Sequence, residues 1–480
     1  MKTLTKNYFY NLMYQVLSLI IPLITAPYIS RVLAADTIGQ YSFAQSIVSY
    51  FVLFASIGTG MYGQRYIAEL TARHENTRKA FWEITILRGT GIGLAILLYC
   101  TTILRYMDAR LIYAVAGIEI LAAFFDISWF YQGTEQFQKL SVFNGLCRIV
   151  ATVCIFVFVR TKDDLVVYMA CNGLAILASN LIQCIEVHKY MSGAAPHSEL
   201  HPFRHVLPSL RLFVAQLAMQ LYTVLDKTMI GIITESDYEN GYYEQSQKII
   251  KMLVALVTSL GAVMASRIAI LWHGDGKQNK QQICDLILFS FRVVFAVGLP
   301  IMLGVMLIAD RIVPIYYGAG YDPVCNMLKW LSIIVPTIGV SNIIGMQLLV
   351  PSKRERMLTQ SVVCGSAINI IANLALIPQN GAMGAVYASL LSELIVALVQ
   401  LFMVRKELPI RQIFQIFCRY FGYSLLMLFV GLLLLHALGE GVLPLLITVV
   451  GCIFVYILCL FTTHDPILSL IFSKEDSYVK

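Results

Sequence analysis

The chain has 480 residues, 58% of them apolar and 13% charged, with a formal net charge of +7. Soluble proteins carry about a quarter charged residues, so a water-soluble globule is excluded and the packing rules of the bilayer apply. The basic excess collects in one set of loops, which marks membrane topology and gives no reason to read nucleic-acid binding.

The first stretch, YFYNLMYQVLSLIIPLITAPYISRVLAADTIGQYSFAQSI, runs from Tyr8 to Ile47. It is almost wholly apolar from Leu12 to Leu33, long enough to cross a bilayer. Lys2 and Lys6 precede it and no small-residue cleavage site follows, so it is expected to stay as a helix. Pro22 and Pro27 predict a bend and a candidate gate, because neighbouring helices in lipid re-satisfy the freed carbonyls. Arg31 closes this helix and Gly39 opens the next.

Fourteen spans are predicted, near 8–31, 39–63, 80–103, 111–131, 140–159, 165–187, 209–233, 241–266, 282–309, 324–349, 358–377, 381–404, 415–437 and 442–462. Lys2, Lys6, Arg65, Arg73, Lys353, Arg354 and Lys480 belong to the heavier basic set of loops and ends. Arg31, Arg105, Arg110, Arg160, Lys162 and Arg311 belong to the lighter one, so both termini are expected in the cytoplasm.

Gly39, Tyr41, Gln45 and Ile47 recur as Gly241, Tyr243, Gln247 and Ile249. This internal repeat predicts an all-α integral membrane protein of two pseudo-symmetric six-helix lobes plus two C-terminal helices. The expected divisions are a lobe at 1–190, a cytoplasmic linker at 191–208, a second lobe at 209–405, and two helices with a tail at 406–480. Two halves around a central site is transporter architecture.

Charges inside the spans are costly and so point to a wet cavity or a partner. Arg88 and Arg148 lie roughly 12 Å from the cytoplasmic ends of their helices. Arg292 is slightly deeper, Lys248, Lys251 and Lys329 enter from the outer side, and Arg31 sits at an outer end. The acids are Glu119, Asp126, Asp226, Glu244 and Glu393. Glu119 and Asp126 share a helix face, as do Glu244, Lys248 and Lys251. One reading is ion pairs between helices, for example Asp126 with Arg88 or Arg148. The other is a cationic lumen, since cations outnumber acids, and its natural ligand is a phosphate ester.

The eleven cysteines form no C-x-x-C pair and read as packing residues. His197, His201 and His205 have the spacing of a metal ladder, but Pro202 breaks any such helix. They read instead as a polar, pH-sensitive linker, and no metal or cofactor is expected. Tyr41, Tyr50, Tyr222, Tyr242 and Tyr243 are placed to stack on sugar faces.

The segments NYFYNLMYQ, PLITAPYISRVL and IGQYSFAQS, with LYTVLDKTMIG and GYYEQSQKI in mid-chain, resemble the signatures of the oligosaccharide flippases of polysaccharide biosynthesis. These translocate O-antigen and capsule repeat units, and share a superfamily with lipid II flippases and multidrug and toxin extruders. Leu33-Ala34 stands where that pattern has Leu-Gly. The resemblance implies a non-enzymatic flippase of the bacterial inner membrane. It would move undecaprenyl-diphosphate-linked oligosaccharide by alternating access through a cationic lumen. Arg31, Asp226 and Lys227 are carried over by signature match; Arg88, Arg148, Lys248, Lys251, Arg292 and Lys329 rest on depth. Asp226, then Asp126 and Glu393, are the candidate acids for coupling to a cation, H+ or Na+. Membrane lipids and the polysaccharide polymerase machinery are the other implied partners.

A cation-coupled multidrug extruder is the nearest rival, and would favour an acidic lumen. A membrane polymerase or acyltransferase would need a catalytic constellation that the short outer loops do not supply. A major-facilitator carrier would not give fourteen spans.

Overall fold

The structure, a computed structural model, describes residues 2–107, 109–191, 200–259, 261–272 and 277–467. His197 lies outside them. Among the described residues the fold is wholly helical, as expected where lipid offers no partner to unpaired backbone groups. The chain separates into two compact units, Met1–Glu244 and Gln245–Lys480.

The first unit holds α1 (Lys2–Ser56), α2 (Thr59–Ala72), α3 (Arg78–Thr101), α4 (Ile103–Tyr106), α5 (Arg110–Ala116), α6 (Ile118–Phe124), α7 (Ser128–Gly133), α8 (Phe137–Phe158), α9 (Leu165–Met191) and α10 (Val206–Thr234). It ends within α11 (Asp237–Thr258), which continues into the second unit. There follow α12 (Gly261–Trp272), α13 (Lys277–Tyr317), α14 (Asp322–Leu331), α15 (Ile334–Asn342), α16 (Glu355–Asn380), α17 (Ala382–Val404), α18 (Ile410–Leu438) and α19 (Val442–Thr462). A π-helical turn, Ile343–Leu349, extends α15 and sets Gln347 to accept a 2.7 Å hydrogen bond from Ser290 of α13.

Eleven helical segments among the described residues are long and apolar enough to cross a membrane. Two expected spans, 8–31 and 39–63, fall largely in one of these segments, Met13–Ser56, because α1 consists of two helices joined across a kink at Ala34. At about 1.5 Å per residue each of the two parts is roughly 30 Å or more long, enough to cross the hydrocarbon core. The expected spans at 209–233 and 241–266 form helices that are not among the eleven. Of these, α11 carries Asp237, Glu239, Glu244, Lys248 and Lys251, which lowers its hydropathy.

The break in α1 is not at the prolines. Helical dihedrals run through Pro22 and Pro27, where Thr25 donates to the Ile21 carbonyl (3.0 Å) and Ser30 to the Pro27 carbonyl (3.1 Å). The backbone departs from the helix at Ala34, with φ 63° and ψ 172°. That region is open to glycine and costs any other residue about 1–3 kcal/mol. Ala34 thus occupies the place where the flippase pattern has glycine.

The helices of the first unit share a core of Ile29, Leu33, Ile38, Val48, Ile92 and Ile120, capped by Tyr99, whose hydroxyl donates to the Tyr113 carbonyl (2.7 Å). A second core, with Ile67, Phe81, Ile84, Trp129 and Phe130, joins α2, α3 and α7. Between α1 and α2 the chain turns through Ile57 and Gly58 at φ 45° and 71°. Gly58 faces the Ser209 carbonyl of α10 so closely that no side chain would fit. In the second unit α18 lies along α13, and Tyr456 of α19 donates to the Ala296 carbonyl of α13 (2.8 Å).

Candidate functional site

The two copies of the internal repeat meet. A Cβ on Gly39 of α1 would overlap the Asp237 carbonyl of α11, and one on Gly241 would overlap the Ala35 carbonyl. The helices therefore cross backbone to backbone, which is the physical reason both copies need glycine there. Around the crossing, Gln40 donates to Asp237 (2.9 Å) and Lys162 pairs with Asp36 (2.5 Å).

One to two turns further in lies a buried polar cluster. Lys227 of α10 forms an ion pair with Glu244 of α11, and Ser42 of α1 donates to the same carboxylate (3.0 Å). Asp226 accepts from the Tyr243 hydroxyl (2.5 Å). Asn240 donates to the Lys227 carbonyl (2.9 Å), and Thr228 bridges to Ser46 (2.9 Å) and Tyr50 (3.1 Å). Asp226 and Glu244 are only 5% and 8% exposed, so their charges depend on these partners. Beside the cluster Gln45 of α1 donates to Glu119 of α6.

The sequence-derived candidates divide into those the fold brings together and those it does not. Asp226 and Lys227 fall in this cluster. Arg88 is buried and pairs with Asp126 (2.7 Å), also donating to the Ala123 carbonyl (3.3 Å) and Thr59 (3.4 Å). Of the two pairings weighed for Asp126, this is the one formed. Arg148 is exposed on α8, near enough to Tyr41 for its charge to act there, and Arg31 is exposed on α1. In the second unit Lys251 is exposed, and Lys248, Arg292 and Glu393 are half-buried. Arg292 acts electrostatically on Tyr420, and Lys329 pairs with Asp310 (2.6 Å).

Three participants were not foreseen. Ser42 and Gln45 carry no sign of a role beyond their place in the repeat. Glu83 anchors a second cluster, with Arg204 (2.6 Å), His205 (2.9 Å) and the His201 backbone N–H (2.9 Å). Its partners lie some 120 residues away in sequence, beyond any local pattern. Pro202 opens a 3-10 turn, Pro202–His205, so the histidine ladder does not form a continuous helix. Among the described residues no three histidine, cysteine, aspartate or glutamate side chains converge as metal ligands would.

A long broken helix crossing its own repeat, around buried paired charges in a multi-pass bundle, defines a transporter-type membrane protein. The solved lipid II flippase MurJ, in an inward closed conformation, has the same fold: TM-score 0.76 at 16% identity, over 95% of this chain and all of that one. An inward-facing multidrug transporter of the MATE family is more distant, at TM-score 0.58 and 12% identity, over 83% of this chain and 98% of that one. The family model described as "Polysaccharide biosynthesis protein" matches residues 4–271, and the chain belongs to that family. Curated relatives include two proteins named "Putative O-antigen transporter". The one from Shigella dysenteriae is 22% identical over 79% of this chain and 94% of its own length. The one from Escherichia coli K12 is 22% identical over 84% and 97%.

Proposed function

We propose that the protein flips undecaprenyl-diphosphate-linked oligosaccharide repeat units from the inner to the outer leaflet of the bacterial inner membrane. The observation that carries this is the cluster of Asp226, Lys227 and Glu244 beside the Gly39–Gly241 crossing, built from both signature segments of the family. It joins α1, α10 and α11 by contacts that can part as a unit, as a gate requires. In this reading α1 crosses the membrane twice, α10 and the α11–α12 pair also cross, and the total is fourteen with both termini cytoplasmic. Residues 1–190 and 209–405 are the two repeat lobes, 191–208 the linker, and 406–480 the added helices.

Arg31, Arg148, Lys248, Lys251 and Arg292 supply cations for the diphosphate, at several depths of a cationic lumen. Arg88, Lys227 and Lys329 join them as the carrier changes state. The bent first helix, with Pro22 and Pro27, moves as the gate. Return of the empty carrier is coupled to an inward cation, H+ or Na+, through Asp226, with Asp126 and Glu393 as further acids. The delivered unit passes to the polysaccharide polymerase machinery. The excess of cations over acids within the spans supports this over a multidrug extruder, whose cationic substrates would favour an acidic lumen.

The test is flipping of a fluorescent lipid-linked diphosphate oligosaccharide in reconstituted vesicles, read by an impermeant reagent. Arg148→Gln and Arg292→Gln should each slow flipping about tenfold, equivalent to about 1.4 kcal/mol of lost transition-state stabilisation, with folding unchanged. Asp226→Asn should bind cargo yet lose dependence on an imposed ion gradient. Wild-type rates in both arginine variants would remove these residues from the cargo path, and efflux of a lipophilic cationic dye in place of lipid flipping would replace this reading with the extruder.

A further inference from the structure

Glu83 sits in the first turns of α3 with its carboxylate wholly shielded from solvent. A buried carboxylate needs full compensation. Here Oε1 accepts from the His201 backbone N–H (2.9 Å), and Oε2 accepts from Arg204 Nη2 (2.6 Å) and meets His205 Nε2 (2.9 Å). On the far side of the imidazole, His205 Nδ1 lies 2.7 Å from the Tyr62 hydroxyl of α2. The rings of Tyr62 and Tyr66 enclose it, their centroids 5.5 and 5.4 Å away. His205 is 2% exposed and leads directly into α10.

These contacts fix the tautomer. Glu83 can only accept, so Nε2 carries the proton, and Nδ1 accepts from Tyr62. The 3.2 Å approach of Arg204 Nε to Nε2 then sets two donors side by side, and Arg204 is held by Glu83 instead. Uptake of a proton at Nδ1 removes that acceptor, and the Tyr62 hydroxyl must turn its proton away from the closed pocket to accept in its place. Uptake also adds a second cation beside Arg204 in a closed pocket.

We propose that Glu83 and His205 form a proton-operated catch that holds the start of α10 against the ends of α2 and α3. The catch regulates the carrier proposed above, in which this end is cytoplasmic. The groups facing the imidazole are Glu83 from α3, Tyr62 and Tyr66 from α2, and Arg204 from its own turn. Glu69 of α2 acts on Tyr62. Burial, with the Arg204 charge, holds His205 below its ordinary value. A released imidazole would return to about 6.5. The released form therefore binds the proton more readily. The catch is fully closed above that value and opens as pH falls through the lower, latched value.

The second observation is mechanical. Three residues into α10, Ser209 packs its carbonyl on Gly58, at the left-handed turn joining α1 to α2. Closing the catch presses α10 onto this turn, and opening it frees both helices.

Hydrogen–deuterium exchange of the full-length carrier in detergent tests this on peptides covering 200–213, with peptides of α18 and α19 as reference. Rates are corrected for the intrinsic pH dependence of exchange. From about pH 7.5 to about pH 5.5 the wild type should exchange faster in 200–213. The gain should be about tenfold for each unit between the released and latched histidine values. Glu83→Gln should exchange fast at both pH values. Tyr62→Phe, which removes the hydroxyl partner of Nδ1 and keeps the ring, should shift the pH of the transition. His205→Gln cannot titrate and should show no pH response. Equal wild-type protection at both pH values, or an unshifted transition in Tyr62→Phe, overturns the catch. No cargo is present, so a failure of flipping in vesicles would sink the flippase reading and leave these rates untouched.

Discussion

The two ends of α10 are both tied down by buried carboxylates, in opposite ways. At the Asp226 end the partners are a lysine and a tyrosine, whose ordinary values lie far above neutrality, and two helix backbones in contact through glycine. At the His205 end the partner is an imidazole, the side chain that titrates nearest neutrality. The first closure is set by shape and by an ion pair between neighbouring helices. The second depends on the medium around it. One helix thus carries one lock held by packed backbone and a second held by an imidazole.

Three substitutions break or sharpen this contrast. The largest effect should come from Gly39→Leu or Gly241→Leu, since the clash is with backbone that cannot rotate away. A loss of about 4 kcal/mol or more in thermal stability is expected, at any pH. A well-folded carrier with unchanged melting would show that the crossing is not held by shape. Next, Lys227→Ala should cost about 3–5 kcal/mol, because Glu244 is left buried without its cation. Adding Glu244→Gln should return most of that loss; a purely additive double variant would mean the two residues do not depend on each other. The smallest effect is a gain. Ala34→Gly should relieve the strained backbone and raise stability by about 1 kcal/mol, part of the relief being offset by glycine's freer unfolded chain. A loss on this substitution would place the strain elsewhere.

What could be read from the sequence followed local rules. Apolar run length gave the membrane helices, and the recurrence of Gly39 as Gly241 pointed to two segments that prove to touch. Asp226 stood out as an acid inside a span, and with Lys227 it was marked by the match to the flippase signature. What could not be read depended on partners distant in the chain. Glu244 was paired by helical spacing with Lys248, and its partner on the next helix, Lys227, was not foreseen. Glu83 looked like an ordinary residue near a helix end, since nothing local marks Arg204 and His205 as its neighbours. Pro22 and Pro27 keep helical dihedrals, and the backbone leaves the helix at Ala34, a break that no proline marks. The alanine-for-glycine departure from the flippase pattern was visible, but its meaning needed the backbone angle.

The length of α10 makes it a lever. Its 29 residues span roughly 43 Å at about 1.5 Å each. A tilt of about 7° about one end sweeps the other through roughly 5 Å, and Lys227, about 32 Å along the shaft, through roughly 4 Å, more than the reach of any hydrogen bond. A rotation too slight to disturb the packing along the shaft would therefore pull Lys227 clear of Glu244, or carry His205 out from between Glu83 and Tyr62. Which of these happens depends on which end serves as the fulcrum, and a single rigid rod cannot easily keep both ends seated while it pivots.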